Sequence, residues 1–384
     1  MEYVYACQPF TTTFRKSIYL AGPTPRTPEV DSWRPRALEH LKALDFAGVV
    51  FIPEAQDGHR SQDYDLQMDW ELDAMRRSDI ILFWIPANRE TLPANTTRVE
   101  FGLQIHSGKV ILGIPKEAYQ TRYIETLAEK YIVQLHRSLE ATIKAACTRL
   151  GEGAERAGAE CLIPLEIWHT GHFQQWYASQ TSVGHTLEDV HNVEWVFRVG
   201  QNKSFPLLVA LHVAIKVKGE NRIKDNEAVL IRPSIVTIGV YCLGQTREQD
   251  RFLLVKEYRT SVMNSQGFVF ELPGGSSFNP DVDPHDLAME ELEQETGLTL
   301  ASERFHVVGQ RQLAATQVAN QALLMAVELT SNEMDEITAQ PDEMYGNHSE
   351  TEQTYLCVCT RQQLIEESLV DYVTLGQISL IGGS

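Results

Sequence analysis

The chain of 384 residues reads as two α/β domains, and three observations predict this. The length exceeds what one compact core usually fills. The first ~150 residues alternate short apolar runs with helical patterns, which marks a parallel sheet with crossover helices. Farther on, a Gly-rich turn leads into a short acidic helix flanked by strand-like runs, which is the pattern of a second α/β layer structure.

In the first part, SIYLAGP, GVVFIP, DIILFWIP and KVILGIP read as buried strands. Each ends in Gly or Pro, where loops gather at the carboxyl edge of such a sheet and ligands bind. WRPRALEHLKAL reads as a helix, and the stretch from KEAYQ to TRL as one long helix. The expected architecture is a doubly wound sheet of flavodoxin or Rossmann type over residues 1–150. Residues 151–160, GEGAERAGAE, read as a linker because they lack apolar periodicity. An aromatic, His-rich connector continues to residue 190, and the second domain occupies 191–384. Trp168, Phe173, Trp176 and Tyr177 either stack on an adenine or join domains or subunits. His169 and His172 stand three apart, but no further ligand completes a zinc site.

The net charge of -19 excludes general nucleic-acid binding, which needs a basic footprint. The six cysteines form no CxxC pair; Cys357 and Cys359 sit two apart on one face of an expected strand and read as core. No apolar run reaches the ~18 residues of a membrane span, and nothing at the start resembles a signal peptide, so a cytoplasmic location is expected.

The strand ends of the first domain carry a resemblance. IYLAGP, WELDAMRRSDIILFWIP and TTRVEFGLQIHSGKVILGIP are together similar to the nucleoside 2-deoxyribosyltransferase family. The resemblance implies cleavage of an N-glycosidic bond by a glutamate nucleophile, here Glu100 of Glu100-Phe101-Gly102. The chemistry is that of a retaining glycosidase, in which a carboxylate attacks the anomeric carbon and a second nucleophile releases the sugar. By the same resemblance Glu71 recognises the base or protonates the leaving group. Tyr19 and Gly22 match the sugar-side loop, while Trp84, Asn95, Thr96 and Thr97 line the pocket. The family's second acid, shortly before the nucleophile, falls within Pro93-Ala94-Asn95 and is missing. Relatives of this kind complete their sites through homo-oligomers, so self-association is expected.

No Lys or Arg occurs between Arg259 and Arg304, while Asp281, Asp283, Asp286, Glu290, Glu291, Glu293 and Glu295 crowd together. Like charges this dense call for a cation or solvent. Asp283 is an N-cap, Pro284 suits the first helical position and Gly297 a helix stop. Glu291 and Glu295, four apart, project from one face. This segment resembles the Nudix box, which implies an α/β/α sandwich and hydrolysis of a nucleoside diphosphate derivative with Mg²⁺ or Mn²⁺ on Glu291 and Glu295. The usual Arg is Glu290, one usual Glu is Gln294, and Asp281 or Asp283 replaces the upstream acid. RFLLVKEYRTSV makes Arg259 a candidate phosphate contact, as in ADP-ribose-type members. Glu350 or Glu352, in the late acidic loop, would activate water.

The fusion suggests a small-molecule substrate containing both bonds, such as NAD, whose first cleavage would give ADP-ribose for the second site. Two other readings stay open. The second domain senses a nucleotide and regulates a glycosidase without hydrolysing it, or a salvage deoxyribosyltransferase is fused to a nucleotide-cleansing hydrolase.

Overall fold

The computed structural model describes all residues except 26, 28, 57–62, 278–281, 340–343, 347–352 and 383–384. It divides into two compact units, Met1–Ala228 and Val229–Ser384.

The first unit is built on a six-stranded parallel sheet. The spatial order is Glu2–Tyr5, Val49–Ile52, Ser17–Ala21, Ile80–Trp84, Val110–Gly113 and Leu135–His136. Its strands are apolar on both sides because both sides are covered. Tyr19, Ala21, Ile81 and Phe83 face one way, onto Trp70, Ala74, Phe101, Ile124 and Ala128 of the helices Tyr64–Arg77, Asn95–Gln104 and Arg122–Lys130. Ile18, Leu20, Ile80 and Leu82 face the other way, onto Ala37, Leu41, Leu139, Ile143 and Ala146 of Arg34–Ala43 and Leu139–Leu150. Phe101 is fully buried and meets Phe83 edge-on at 5.4 Å. Truncating it to Ala would cost about 3–5 kcal/mol.

The chain passes from Ser17–Ala21 to a neighbour on one side, then returns to pair Ile80–Trp84 on the other. The carboxyl end of Ser17–Ala21 therefore stands where the strand order reverses, the position at which sheets of this kind bind ligands.

Two segments depart from the sequence expectation. The stretch expected as one long helix is two helices, Arg122–Lys130 and Leu139–Leu150, separated by the edge strand Leu135–His136. Ile132 takes a left-handed backbone with φ 60°, which a helix cannot continue through, and Ser138 caps the next helix by accepting from Ala141 N. The expected linker is ordered. Arg156–Ala157 pairs with Thr13–Phe14, and the Arg156 side chain is fully buried. Its guanidinium grips Asp79 through two bonds of 2.9 and 2.7 Å and donates to the Ile163 carbonyl. Asp79 also accepts from Ser17 N and Leu165 N, so its carboxylate fastens the connector to the sheet's amino edge.

The connector's aromatic residues make their own small core. Phe173 is stacked on Tyr177 at 5.9 Å and lies 5.5 Å from Trp168 and 5.7 Å from Trp176. A long hairpin follows, Thr186–Val199 against Phe205–Lys216, with four register shifts that twist it.

The second unit is a large mixed sheet. Its order is Ala228–Ile231, Val318–Glu328, Ile235–Cys242, Arg251–Glu257, Thr354–Thr360 and Met344–Tyr345, with His306–Ala314 also paired to Val318–Glu328. Leu292, Met334 and Ile337 bring Pro284–Thr296 and Ser331–Thr338 onto one face. Leu364 and Ile378 bring Arg361–Glu366 and Tyr372–Ser379 onto the other. Among the described residues no helix is long and apolar enough to cross a membrane.

Candidate active site

At the reversal point Ser17–Ala21 delivers Tyr19 towards the face covered by Tyr64–Arg77 and Asn95–Gln104. Those helices bring Glu71 and Glu100 to the same place. Burial, reinforced by the charge of Glu71 and opposed by Arg34, pushes the Glu100 carboxyl up to about 7. Burial and the charges of Glu71 and Glu100 hold the Tyr19 phenol well above its ordinary range, so its hydroxyl stays a neutral donor. Glu71 accepts from Gln67 Nε2 at 2.8 Å, one helical turn away.

The helix carrying Glu100 starts abruptly. Ala94 is left-handed, φ 56° and ψ 34°, which costs a non-glycine residue about 1 kcal/mol. Arg98 fixes the entry by donating to the Pro93 carbonyl at 2.6 Å and the Tyr119 carbonyl at 3.0 Å. Thr97 is buried in the helix, whereas Asn95 and Thr96 are exposed at its start.

Gly22 closes the strand Ser17–Ala21 by contact rather than by turn. A Cβ there would stand 2.4 Å from the Trp84 carbonyl oxygen and 2.7 Å from the Trp33 ring, so only hydrogen fits. The Trp84 ring itself packs in the opposite cluster, beside Trp33 and Leu139. It is therefore the Trp84 backbone that borders Gly22, and the expected sugar-side ring contact is not formed on the Glu100 face.

Sequence reasoning missed Arg34 and Glu54. Arg34 is almost fully buried and donates to the carbonyls of Leu20 at 3.1 Å and Gly22 at 2.7 Å and to Thr24 Oγ1 at 3.1 Å. Its Nη1 lies 2.5 Å from Glu54 Oε1, and Ser32 Oγ holds both oxygens of that carboxylate. One signal was available: an arginine in the first turn of a helix opposes the dipole and needs a carboxylate to repay it.

In the second unit Asp283 caps Pro284–Thr296 by accepting from His285 N at 2.8 Å, and Gly297 ends it left-handed at φ 71°. Glu295 is buried, and its Oε2 accepts from Gly274 N at 2.9 Å. A Cβ on Gly275 would fall 2.1 Å from Glu291 Oε1, so the Gly-Gly turn lies directly over both carboxylates. Gln294 is exposed and donates to Glu290 at 3.0 Å. Arg259 bridges Glu257 at 2.7 Å and Glu271 at 2.9 Å. Among the described residues no group of three or more His, Cys, Asp or Glu is arranged for a metal ion. Asp281, Glu350 and Glu352 lie outside the described residues.

Residues 15–118 match the family model described as "Nucleoside 2-deoxyribosyltransferase like". Tyr19, Gly22, Arg34, Glu54, Glu71 and Glu100 all fall within that match. No curated protein matches the chain. A solved structure titled "Structure of T. brucei MERS1-RNA complex" is similar over 26% of this chain and 35% of its own, at 16% identity and a TM-score of 0.22. The likeness thus spans about a third of that structure. Residues 15–118 are a nucleoside 2-deoxyribosyltransferase-like domain, and that likeness points to nucleoside processing of the glycosyl-transfer kind.

Proposed function

We propose that the first unit cleaves the N-glycosidic bond of a nucleoside or nucleotide with Glu100 as nucleophile. The observation that carries this reading is that half-buried Glu71 and Glu100 lie close enough for the charge of Glu71, together with burial, to push the Glu100 carboxyl up to about 7. Ionised Glu100 attacks the anomeric carbon as the bond to the base breaks. Glu71 recognises the base, which takes up its proton from solvent as it leaves, and water or a second acceptor then displaces the sugar from the Glu100 ester. The neutral Tyr19 hydroxyl donates to the carboxylate or to a sugar oxygen.

The second unit is read as a Nudix-type hydrolase of a nucleoside diphosphate derivative. Its hard oxygen donors, Glu291 and Glu295 beneath the Gly274–Gly275 turn, suit Mg²⁺ or Mn²⁺, since Mg²⁺ is commonly held by one or two carboxylates plus substrate phosphates. Such an ion, when bound, supplies charge neutralisation at the pyrophosphate. Arg259 positions phosphate oxygens, and Glu350 or Glu352 orients water. NAD contains both bonds and is the proposed substrate: release of nicotinamide followed by cleavage of ADP-ribose to AMP and ribose phosphate.

A second reading has the acidic helix bind its nucleotide without cleaving it and so regulate the glycosidase. The outward pairing of Gln294 with Glu290 favours it, because a neutral amide contributes little to a hard cation. Self-association belongs to the proposal as well: Val99 and Leu103, one turn apart on the Glu100 helix, are 64% and 65% exposed.

The test is mass spectrometry of products from NAD, ADP-ribose and mixed deoxynucleosides with Mg²⁺, using the native chain, Glu100→Gln and Glu295→Gln. Nicotinamide and AMP, each lost in a different variant, support two active sites. Base release with intact ADP-ribose supports the binding-only reading, and base release by Glu100→Gln removes the glycosidase assignment.

A further inference from the structure

On the strand Thr354–Thr360 alternate residues point to opposite faces. Leu356 and Val358 face the acidic helix, while Cys357 and Cys359 face the other layer with Phe252, Leu254, Phe270 and Leu364. Neither thiol is in a disulfide, and their sulfurs lie 3.3 Å apart. Cys359 is buried, whereas Cys357 is half-buried. Lys256 stands over the Phe268 ring at 4.6 Å, and its charge reaches Cys357. The contact with Cys359, helped by Lys256, draws the Cys357 thiol below its ordinary value, which favours a thiolate at that position.

Geometry favours a bridge over a direct bond. Alternate Cα atoms along a strand are about 6.6–6.8 Å apart, which is the far limit of the range a disulfide accepts. Two thiolate bonds of about 2.3 Å meeting near a right angle at a soft centre instead span about 3.3 Å, the separation already present. Among the described residues no set of three or more ligands gathers for a metal, so the pair suits a centre satisfied by two thiolates rather than tetrahedral zinc.

We propose that Cys357 and Cys359 form a chelating dithiol site for a soft, three-coordinate thiophilic centre, of which a trivalent organoarsenical is the representative ligand. With an arsine oxide both sulfurs bond to arsenic. The two S–H protons leave with the oxide oxygen as one water, and arsenic stays trivalent, so no oxidant is consumed. The site lies on the sheet face opposite Glu291 and Glu295 and is independent of the catalytic reading of either unit.

The native full chain treated with equimolar phenylarsine oxide, then alkylated and mapped by mass spectrometry, tests this. The expected result is one arsenical per chain, with Cys357 and Cys359 protected from alkylation and the adduct stripped by dithiothreitol but retained in an equal concentration of monothiol. Cys357→Ser and Cys359→Ser should each weaken capture by roughly a hundredfold through loss of the second attachment. An adduct mapped to Cys7, Cys147, Cys161 or Cys242, or no adduct, overturns the proposal, and this readout on the native chain stands whether or not either variant folds.

Discussion

Arg34 reaches Glu54 at 2.5 Å while its other donors hold the loop after Ser17–Ala21, so one guanidinium both fixes that loop and bears on the charge of Glu100. Its positive charge opposes the upward push on the Glu100 carboxyl. Arg34→Gln should therefore raise Glu100 further and move the acidic limb of base release to higher pH. The same change leaves Glu54 without its cation and should cost about 3 kcal/mol of stability, measured by denaturant unfolding.

Glu71 acts on Glu100 with the opposite sign. Glu71→Gln should lower the Glu100 pKa and shift the acidic limb of the pH profile downwards. Loss of its charged hydrogen bond to the base should also slow base release by roughly tenfold to a hundredfold. A profile that keeps its midpoint would show that the two carboxyls do not interact.

The raised Glu100 makes its own stability signature. Its ordinary value is 4.5 and its folded value about 7, so between these the folded chain holds the extra proton. Stability contributed by this group is present at acidic pH and declines as pH rises through that window. Glu100→Gln should flatten the decline, seen as unfolding midpoints that vary less from pH 5 to pH 7, along with loss of base release.

In the second unit, Gly275→Ala would drive a methyl group into Glu291, since the added Cβ falls 2.1 Å from its Oε1. Mg²⁺ affinity measured by calorimetry should fall roughly tenfold or more, with the fold kept by circular dichroism. Unchanged affinity would separate Glu291 from cation binding.

Much of this was legible. Four apolar runs ending in Gly or Pro gave the central strands, and Tyr19, Gly22, Glu71 and Glu100 were named from motifs that the topology then gathered at one edge. The partnership of Arg34 with Glu54 was not legible, because it joins a helix start to a loop 20 residues on through space. The break before Ser138 was hidden because Ile132 gives no local sign of its left-handed backbone. Trp84 was placed in the pocket along with the family resemblance, but a strand's two-residue alternation turns its ring to the other face.

The buried pair of Arg156 with Asp79 has a practical consequence for dissecting the gene. A fragment ended at residue 150 would resemble a self-sufficient domain in its apolar pattern, yet it would carry an uncompensated carboxylate in its interior and a missing strand beside Thr13–Phe14. Such a piece invites insolubility during expression. A cut near residue 228 keeps that counterion with the sheet that needs it.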